Sequence, residues 1–435
     1  MPPGGLSRVA LVRECIERMA APDLSTVRSR FPALAREIGG RPCVFADAPG
    51  GSQVPETVIE AMAGYLRRSN ANLGGAFVTS QESDALVAEA RRAVGAFTGA
   101  HPDEIVFGPN ATTLLFALAR SVARELGPDD EVLVTTLDHD ANIAPWVTAA
   151  RDTGATVRTV DVREEDATLD PDSFEGALSE RTKVAAFTLA SNAVGSVTPA
   201  ADLVRLVRER APGALLVLDG VHLAQHRALD LHGLGADLIA CSAYKFFGPH
   251  LGVLAVRREL LGRLVPYKVR AADDTVPDRW ETGTKNHEGL AGTVAAIGYV
   301  ASIGEGFGDP AGPSPRERVV AGMEAIRAYE ATLSERFLAG TRRIPELTVW
   351  GIREPERSGE RTPTFAVRVG DRHPSETAKT LAERGIFVWD GHYYALALME
   401  RLGLQETGGA VRIGFCHYHS LAEVDRVLEE LAALA

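Results

Sequence analysis

From residue 105 onward, short apolar runs alternate with amphipathic stretches. Ile105–Phe107, Glu131–Thr136, Thr156–Val160, Lys183–Leu189 and Leu215–Leu218 are rich in apolar and β-branched residues, as expected of strands covered on both faces. Asn110–Ala123, Ile143–Asp152, Pro171–Ala177 and Ala200–Arg210 lie between them with a helical period. This alternation predicts an α/β fold with a mainly parallel sheet flanked by helices. Upstream, the pattern predicts a helix starting near Asp23 and running toward Leu34, capped by Asp23 or Ser25. A short strand follows at Val44, turning at Pro49–Gly51, then a helix over Pro55–Arg68 and a glycine loop at Asn70–Gly75. Ser80–Thr98 reads as a helix, with Leu86, Val87, Ala90, Val94 and Phe97 on one face.

Past Gly304 the chain turns to glycine, proline and acid as far as Pro315, the composition of a boundary. Beyond it the expectation is a compact α+β unit. Its elements are a long amphipathic helix Arg316–Leu338, strands Leu347–Trp350, Thr364–Val369, Phe387–Trp389 and Val411–Ile413, and helices Ser375–Arg384 and Leu421–Leu434. The predicted organisation is a large domain over 46–305 and a small C-terminal domain over 316–435. Residues 23–45 are assigned to the small domain, and 1–22 to an N-terminal extension with a short helix.

Composition narrows the function classes. The 435 residues carry a net charge of −12 without a basic block, which argues against nucleic acid and anionic membranes as partners. Cys15, Cys43, Cys241 and Cys416 are far apart, with no CxxC pair. That pattern suits a reducing cytoplasm better than a disulfide framework or a zinc site, and no metal is expected. There is no apolar run of 18 residues, and the N-terminus lacks the apolar core of a signal peptide.

Parallel sheets bind ligands beyond the C-terminal ends of their strands. Asn110–Thr112, His139, Asn192, Asp219 and Lys245 all fall there. Lys245 follows an apolar strand (Asp237–Cys241) among Tyr244, Phe246 and Phe247, where a desolvated amine can attack a carbonyl and form a Schiff base. Asp219 closes Leu215-Leu-Val-Leu-Asp219 and would pair a protonated pyridine nitrogen; alone it also reads as a turn residue. The Asn110–Thr113 helix start offers free N–H groups to a phosphate, with a hydroxyl from Thr112 or Thr113 and that of Ser242 within reach, or it is simply capped by Asn110. His139 could stack on a ring and move protons, His222 and Asn192 could hydrogen-bond it, and Arg412 could clamp a carboxylate. Each of these has a plain packing or surface alternative. The combination, with Lys245 and Asp219 both at strand ends 26 residues apart, points to pyridoxal 5′-phosphate.

Five stretches carry a family resemblance: Asp138-His-Asp-Ala-Asn-Ile-Ala-Pro-Trp146, Ser191-Asn-Ala-Val-Gly195, Leu218-Asp-Gly-Val-His222, Ser242-Ala-Tyr-Lys-Phe-Phe-Gly-Pro249 and Glu281-Thr-Gly-Thr284. In order and spacing the chain resembles the class V, fold type I pyridoxal-phosphate enzymes, in particular the cysteine-desulfurase-like group, over about residues 25–435. The resemblance implies a seven-stranded, mainly parallel sheet. Lys245 would bind the cofactor, Asp219 would pair its ring nitrogen, and His139 would stack on the ring. Ala111, Thr112 and Ser242 would hold the phosphate. His222 would stand beside the ring hydroxyl where glutamine is usual, Asn192 would contact cofactor or substrate, and Arg412 would bind the substrate carboxylate. Thr284 would reach the phosphate in a neighbouring subunit, which implies a homodimer.

Two departures stand out: Tyr244 replaces the usual histidine before the lysine, and Val388–Ala395, where a persulfide-forming cysteine is expected, contains none. The implied activity is therefore β-elimination or C–S cleavage of cysteine or a derivative, without a persulfide cysteine. The alternatives are an aminotransferase, C–C bond chemistry, and a catalytically silent scaffold.

Overall fold

The computed structural model describes residues 24–307 and 312–435. The expected N-terminal extension, including Cys15, lies outside them.

Seven strands form the main sheet: β1 (Ile105–Gly108), β2 (Glu131–Thr135), β3 (Thr156–Val160), β4 (Thr182–Thr188), β5 (Leu215–Asp219), β6 (Leu238–Ser242) and β7 (Gly252–Val256). Their order is β1-β7-β6-β5-β4-β2-β3. β3, β2, β4, β5 and β6 pair in parallel, and β7 runs antiparallel between β6 and β1. Alternate residues of one strand serve two cores. Leu215 and Val217 pack with Val132, Val134 and Leu238 on one face, while Leu216 and Leu218 pack with Leu133, Phe187 and Ile239 on the other. A strand apolar at every position is the consequence of burial on both faces.

The flanking helices used below are α1 (Glu56–Arg68), α2 (Val78–Thr98), α3 (Ala111–Val122), α4 (Ala144–Thr153), α5 (Ala200–Arg210), α6 (His287–Phe307), α7 (Pro315–Thr341) and α8 (Leu421–Ala432). A second, fully antiparallel sheet has the order β8-β9-β11-β10, formed by β8 (Leu347–Trp350), β9 (Thr364–Val369), β10 (Trp389–Gly391) and β11 (Ala410–Gly414). Its inner face meets α7 and α8 through Phe337, Phe365, Phe415 and Leu428. The α/β class and the smaller α+β part agree with the sequence expectation.

Several local expectations are corrected. The helix over Asp23–Leu34 is in fact Leu24–Ser29 followed by a single turn at Pro32–Ala35, because Pro32 disfavours helical backbone at Phe31. The strand at Val44 reduces to isolated bridges, Val44 with Ile386 and Asp47 with Gly414. The strand expected at Phe387–Trp389 is displaced to Trp389–Gly391. The helix α6 was not foreseen. Its sequence is apolar or small nearly all round, so the polar stripe that marks a surface helix is missing. It is buried against α1, α2 and α7, and it crosses α7 where Gly322 faces the Val300 carbonyl oxygen, at a spacing that leaves no room for a Cβ. Among the described residues no helix is long and apolar enough to cross a membrane.

Candidate active site

The C-terminal ends of β1, β2, β4, β5 and β6 open on one cleft of about 550 Å³. Ala111, Thr112, His139, Asn192, Asp219, His222, Ser242 and Lys245 all line it, together with Tyr244. Eight of the ten residues singled out from the sequence thus converge. The turn from β1 into α3 is capped by Asn110, whose Oδ1 accepts from Thr113 N–H at 2.8 Å. Ala111 N–H donates to Ser242 Oγ at 3.2 Å, which joins that helix start to the end of β6. β7 lies against the same turn because Gly252 has no side chain; a Cβ there would sit 2.3 Å from the Asn110 carbonyl carbon.

Electrostatics follow from burial. Lys245 is 7 % exposed, and its Nζ donates to the Pro49 carbonyl. Burial, with Arg412 adding to it, pushes its ammonium down to about 7, against the opposing pull of Asp219. Such an amine is about half unprotonated at neutral pH, far more than an ordinary lysine. Asp219 Oδ1 accepts from Val221 N–H at 2.8 Å, and burial lifts its carboxyl to about 6. His139 is held at about 4 by burial and then by Lys245 and Arg412, so it is neutral. Its Nδ1 accepts from Ala141 N–H at 3.0 Å, leaving the proton on Nε2.

Arg412, on β11, reaches the cleft from the smaller sheet. Its Nη1 donates to Asn192 O at 3.0 Å, its guanidinium lies 4.5 Å from the Tyr393 ring centre, and its Nε has no protein partner. The loop carrying Tyr393 and Tyr394 closes the same side. Both tyrosines adopt left-handed backbone, φ 53° and 58°. They are held there by Asn192 Nδ2 on Tyr393 O at 2.9 Å and by Asp140 N–H on Tyr394 O at 2.7 Å. Tyr394 stacks on the His139 ring, with centroids 5.5 Å apart. Trp389 lies against Gly50, where a Cβ would come within 2.5 Å of the indole Nε1.

Thr284 does not line this cleft. It is exposed on a separate cavity with Phe107, Arg120, His250 and Tyr267. Cys43, Cys241 and Cys416 are free and fully buried. Burial raises the Cys241 and Cys416 thiols far from ionisation, so neither is a ready nucleophile.

Two site residues were not singled out from the sequence. Asp47 is half-buried beside Arg412, is raised to about 6 by burial, and leaves its buried Oδ1 without a partner. Asp138, fully buried behind Asp219, accepts from Thr135 Oγ1 and from Asn142 Nδ2, and burial lifts it to about 8. An aspartate in a turn gives no local signal of such burial; for Asp138 the neighbouring His139 was the available cue.

The residues fit pyridoxal phosphate. A buried amine, a buried carboxylate at a strand end, a helix start and a neutral imidazole surround one cleft. His222 Nδ1, Asn192 Oδ1 and Arg412 Nε are buried polar atoms still lacking protein partners.

A family profile described as aminotransferase class-V matches residues 44–307 and 319–427. The chain is 30 % identical over 424 residues to a cysteine desulfurase of Pectobacterium carotovorum, covering 94 % of this chain and 97 % of that protein. It is also 30 % identical to a cysteine desulfurase of Klebsiella pneumoniae, covering 93 % and 96 %. Among solved structures, it superimposes on the apo cysteine desulfurase of Thermococcus onnurineus with a TM-score of 0.83 and 27 % identity, over 94 % of this chain and 97 % of the other.

Proposed function

The chain belongs to the aminotransferase class-V family of pyridoxal-phosphate-dependent enzymes, and on that premise we propose that it cleaves the C–S bond of cysteine or a small cysteine derivative. The observation that carries this reading is the convergence of Lys245, Asp219 and His139 on one cleft, with Arg412 bonded to Asn192 beside it, in a chain whose relatives are named cysteine desulfurases.

When bound, the cofactor supplies an electron sink for charge developing on the substrate α-carbon. Lys245 Nζ would hold its aldehyde and, as the free amine, would take the substrate α-proton, a role suited to its depressed basicity. The Asp219 carboxylate would keep the ring nitrogen protonated. Ala111 N–H, Thr112 and Ser242 would hold the phosphate at the start of α3. His139, neutral and pinned by Ala141 and Tyr394, would cover the ring face. His222 and Asn192 would take the ring hydroxyl and the substrate carboxylate side, and Arg412 would clamp the carboxylate.

The sulfur-containing product leaves without passing to a protein cysteine. This reading is supported by the cysteine-free segment Val388–Ala395 and by the burial of Cys43, Cys241 and Cys416. The active form is a cytoplasmic homodimer with an amino acid as its small-molecule substrate, in which Thr284 serves the phosphate of the neighbouring site. Its exposure away from its own cleft supports that role. In this reading the cleft belongs to a large domain, 46–305, and a small one, 316–435 with 23–45, brings Arg412 beside it.

The test is an assay of pyruvate release by protein loaded with pyridoxal phosphate, accompanied by sulfide from cysteine or by the matching thiol from its S-conjugates. Stoichiometric pyridoxamine phosphate without pyruvate would instead establish an aminotransferase.

A further inference from the structure

Two large rings beside the cleft face water. Trp389 is 54 % exposed and Tyr394 65 %, while their neighbours Arg412 and Tyr393 are buried. Apolar surface of that size gains free energy when something covers it.

Both rings are held in place. Tyr394 has left-handed backbone, its N–H donates to His392 Nδ1 at 3.1 Å, and its carbonyl accepts from Asp140 N–H at 2.7 Å. Its ring lies on that of His139, with 24° between the planes, and His139 lines the cleft. Trp389 pairs with Arg412 across the β10–β11 ladder, so the indole and the guanidinium project from the same face of the small sheet. Gly50 packs against both: a Cβ there would lie 2.5 Å from the indole Nε1 and 3.5 Å from Arg412 Nη2. One residue earlier, the Pro49 carbonyl accepts from Lys245 Nζ. Indole, guanidinium and amine thus meet on one two-residue stretch of chain.

With a substrate carboxylate on Arg412 and its α-carbon beside Lys245, few directions remain for the sulfur substituent. Asp219, Ser242 and Ala111 are buried at strand and helix ends, on the side given to the cofactor. The open side is where Trp389 and Tyr394 stand. Charge narrows the class further. Arg412 beside the indole, and Lys245 across the Pro49–Gly50 turn, repel a cationic group. Asp390 follows Trp389 on the strand, so its carboxylate is turned to the opposite face, away from the indole. An anionic group would compete for an arginine already holding the substrate carboxylate. A neutral ring suits the site on every count.

We propose that Trp389 and Tyr394 clamp an aromatic sulfur substituent, so that the preferred substrates are cysteine S-conjugates carrying a neutral aromatic ring rather than cysteine itself. The proposal rests on the C–S cleavage reading for what occupies the cleft. The amino-acid part remains small; only the substituent stands between the two rings. In the reaction the Cα–H and Cβ–S bonds break, and the sulfur leaves with the bonding pair and takes one proton to become a thiol. One water is consumed as the remainder becomes pyruvate and ammonia. No oxidant or reductant is needed. The thiol departs from exposed rings straight to solvent, without meeting the buried Cys241 or Cys416.

The test uses the full chain loaded with pyridoxal phosphate and compares S-benzylcysteine, S-methylcysteine and S-(2-aminoethyl)cysteine. All three release an alkyl thiol, so leaving ability differs little among them. S-Benzylcysteine is expected to exceed S-methylcysteine in kcat/KM by about tenfold or more, with the aminoethyl conjugate lowest. Trp389→Ala should reduce the benzyl-to-methyl ratio about tenfold, and Trp389→Phe should retain most of it. A second measurement does not depend on turnover. Trp146 and Trp280 are buried and Trp350 is half-buried, so Trp389 is the indole most open to acrylamide quenching. S-Benzylcysteine should shield that emission, and the shielding should vanish in Trp389→Phe. Equal kcat/KM for the benzyl and methyl conjugates, faster use of the aminoethyl conjugate, or a ratio unchanged in Trp389→Ala overturns the proposal. So does a free protein in which Trp389 is already shielded, as when a second copy covers it. Shielding by S-benzylcysteine with no pyruvate from any conjugate would sink the C–S cleavage reading and leave the clamp standing.

Discussion

The floor and the wall of the cleft are built in different ways. The floor comes from the large sheet: Asp219 and Ser242 are the last residues of β5 and β6, and Lys245 follows three positions later. Their positions are set by strands buried on both faces and held in register by parallel ladders. The wall comes from the smaller antiparallel sheet and its Tyr393–Tyr394 loop, where two left-handed tyrosines are held by residues some 200 and 250 positions away in sequence. The floor presents Lys245 and Asp219 near ordered strand ends; the wall presents Arg412 beside two left-handed tyrosines. Left-handed backbone at non-glycine residues occurs on both sides, at Tyr393 and Tyr394 in the wall and at Phe247, φ 68°, just past Lys245, whereas Asp219 and Ser242 need none because their strands already aim them.

Substitutions can break this contrast. The largest effect is expected for Lys245→Ala on the floor: turnover falls by roughly 10³-fold or more and the absorbance band of the bound cofactor disappears, measured by spectrophotometry and a product assay. Asp219→Ala is expected to keep cofactor binding through Ala111 and Ser242 while lowering turnover about 100-fold or more, because charge on the α-carbon is no longer drawn into a protonated ring. On the wall, Arg412→Lys should raise KM about tenfold with kcat changed much less, since an ammonium cannot reproduce the guanidinium fork. Equal loss in kcat and kcat/KM would move Arg412 to the chemistry of the floor. Tyr394→Gly relieves the left-handed backbone but removes the ring stacked on His139; turnover should fall by about threefold to tenfold while the melting temperature stays within a few degrees.

The smallest effect concerns Asp138 behind the floor. Its folded-state carboxyl sits near 8, above the ordinary aspartate value of about 4. The unfolded chain therefore releases this proton first. The contribution to stability is fully present at acid pH and declines as pH rises from about 4 toward 8. Asp138→Asn should flatten that decline, so the difference in melting temperature between pH 6 and pH 9 narrows.

Legibility divided along the same line. Strands β3 and β8 matched their expected limits, and the floor residues were visible because each is local to a strand end that the apolar pattern already marked. Asp47 and Asp138 were not visible, since an aspartate in a turn looks the same whether a second segment covers it or not. Nor was α6, whose nearly all-round apolar surface acquires meaning only between α1, α2 and α7.

By itself, then, the amino-acid sequence determined the layered α/β frame, the strand ends and the residue types placed on them, because those depend on periodicity and on near neighbours. Tertiary structure alone decided which face of Arg412 meets the cleft, that Tyr393 and Tyr394 close it, that Thr284 stands away from it, and that Trp389 meets Gly50 beside it. Those outcomes depend on burial and on contacts between distant segments, and no local pattern encodes the dielectric surroundings or the partner that a side chain finds only after the sheets have packed.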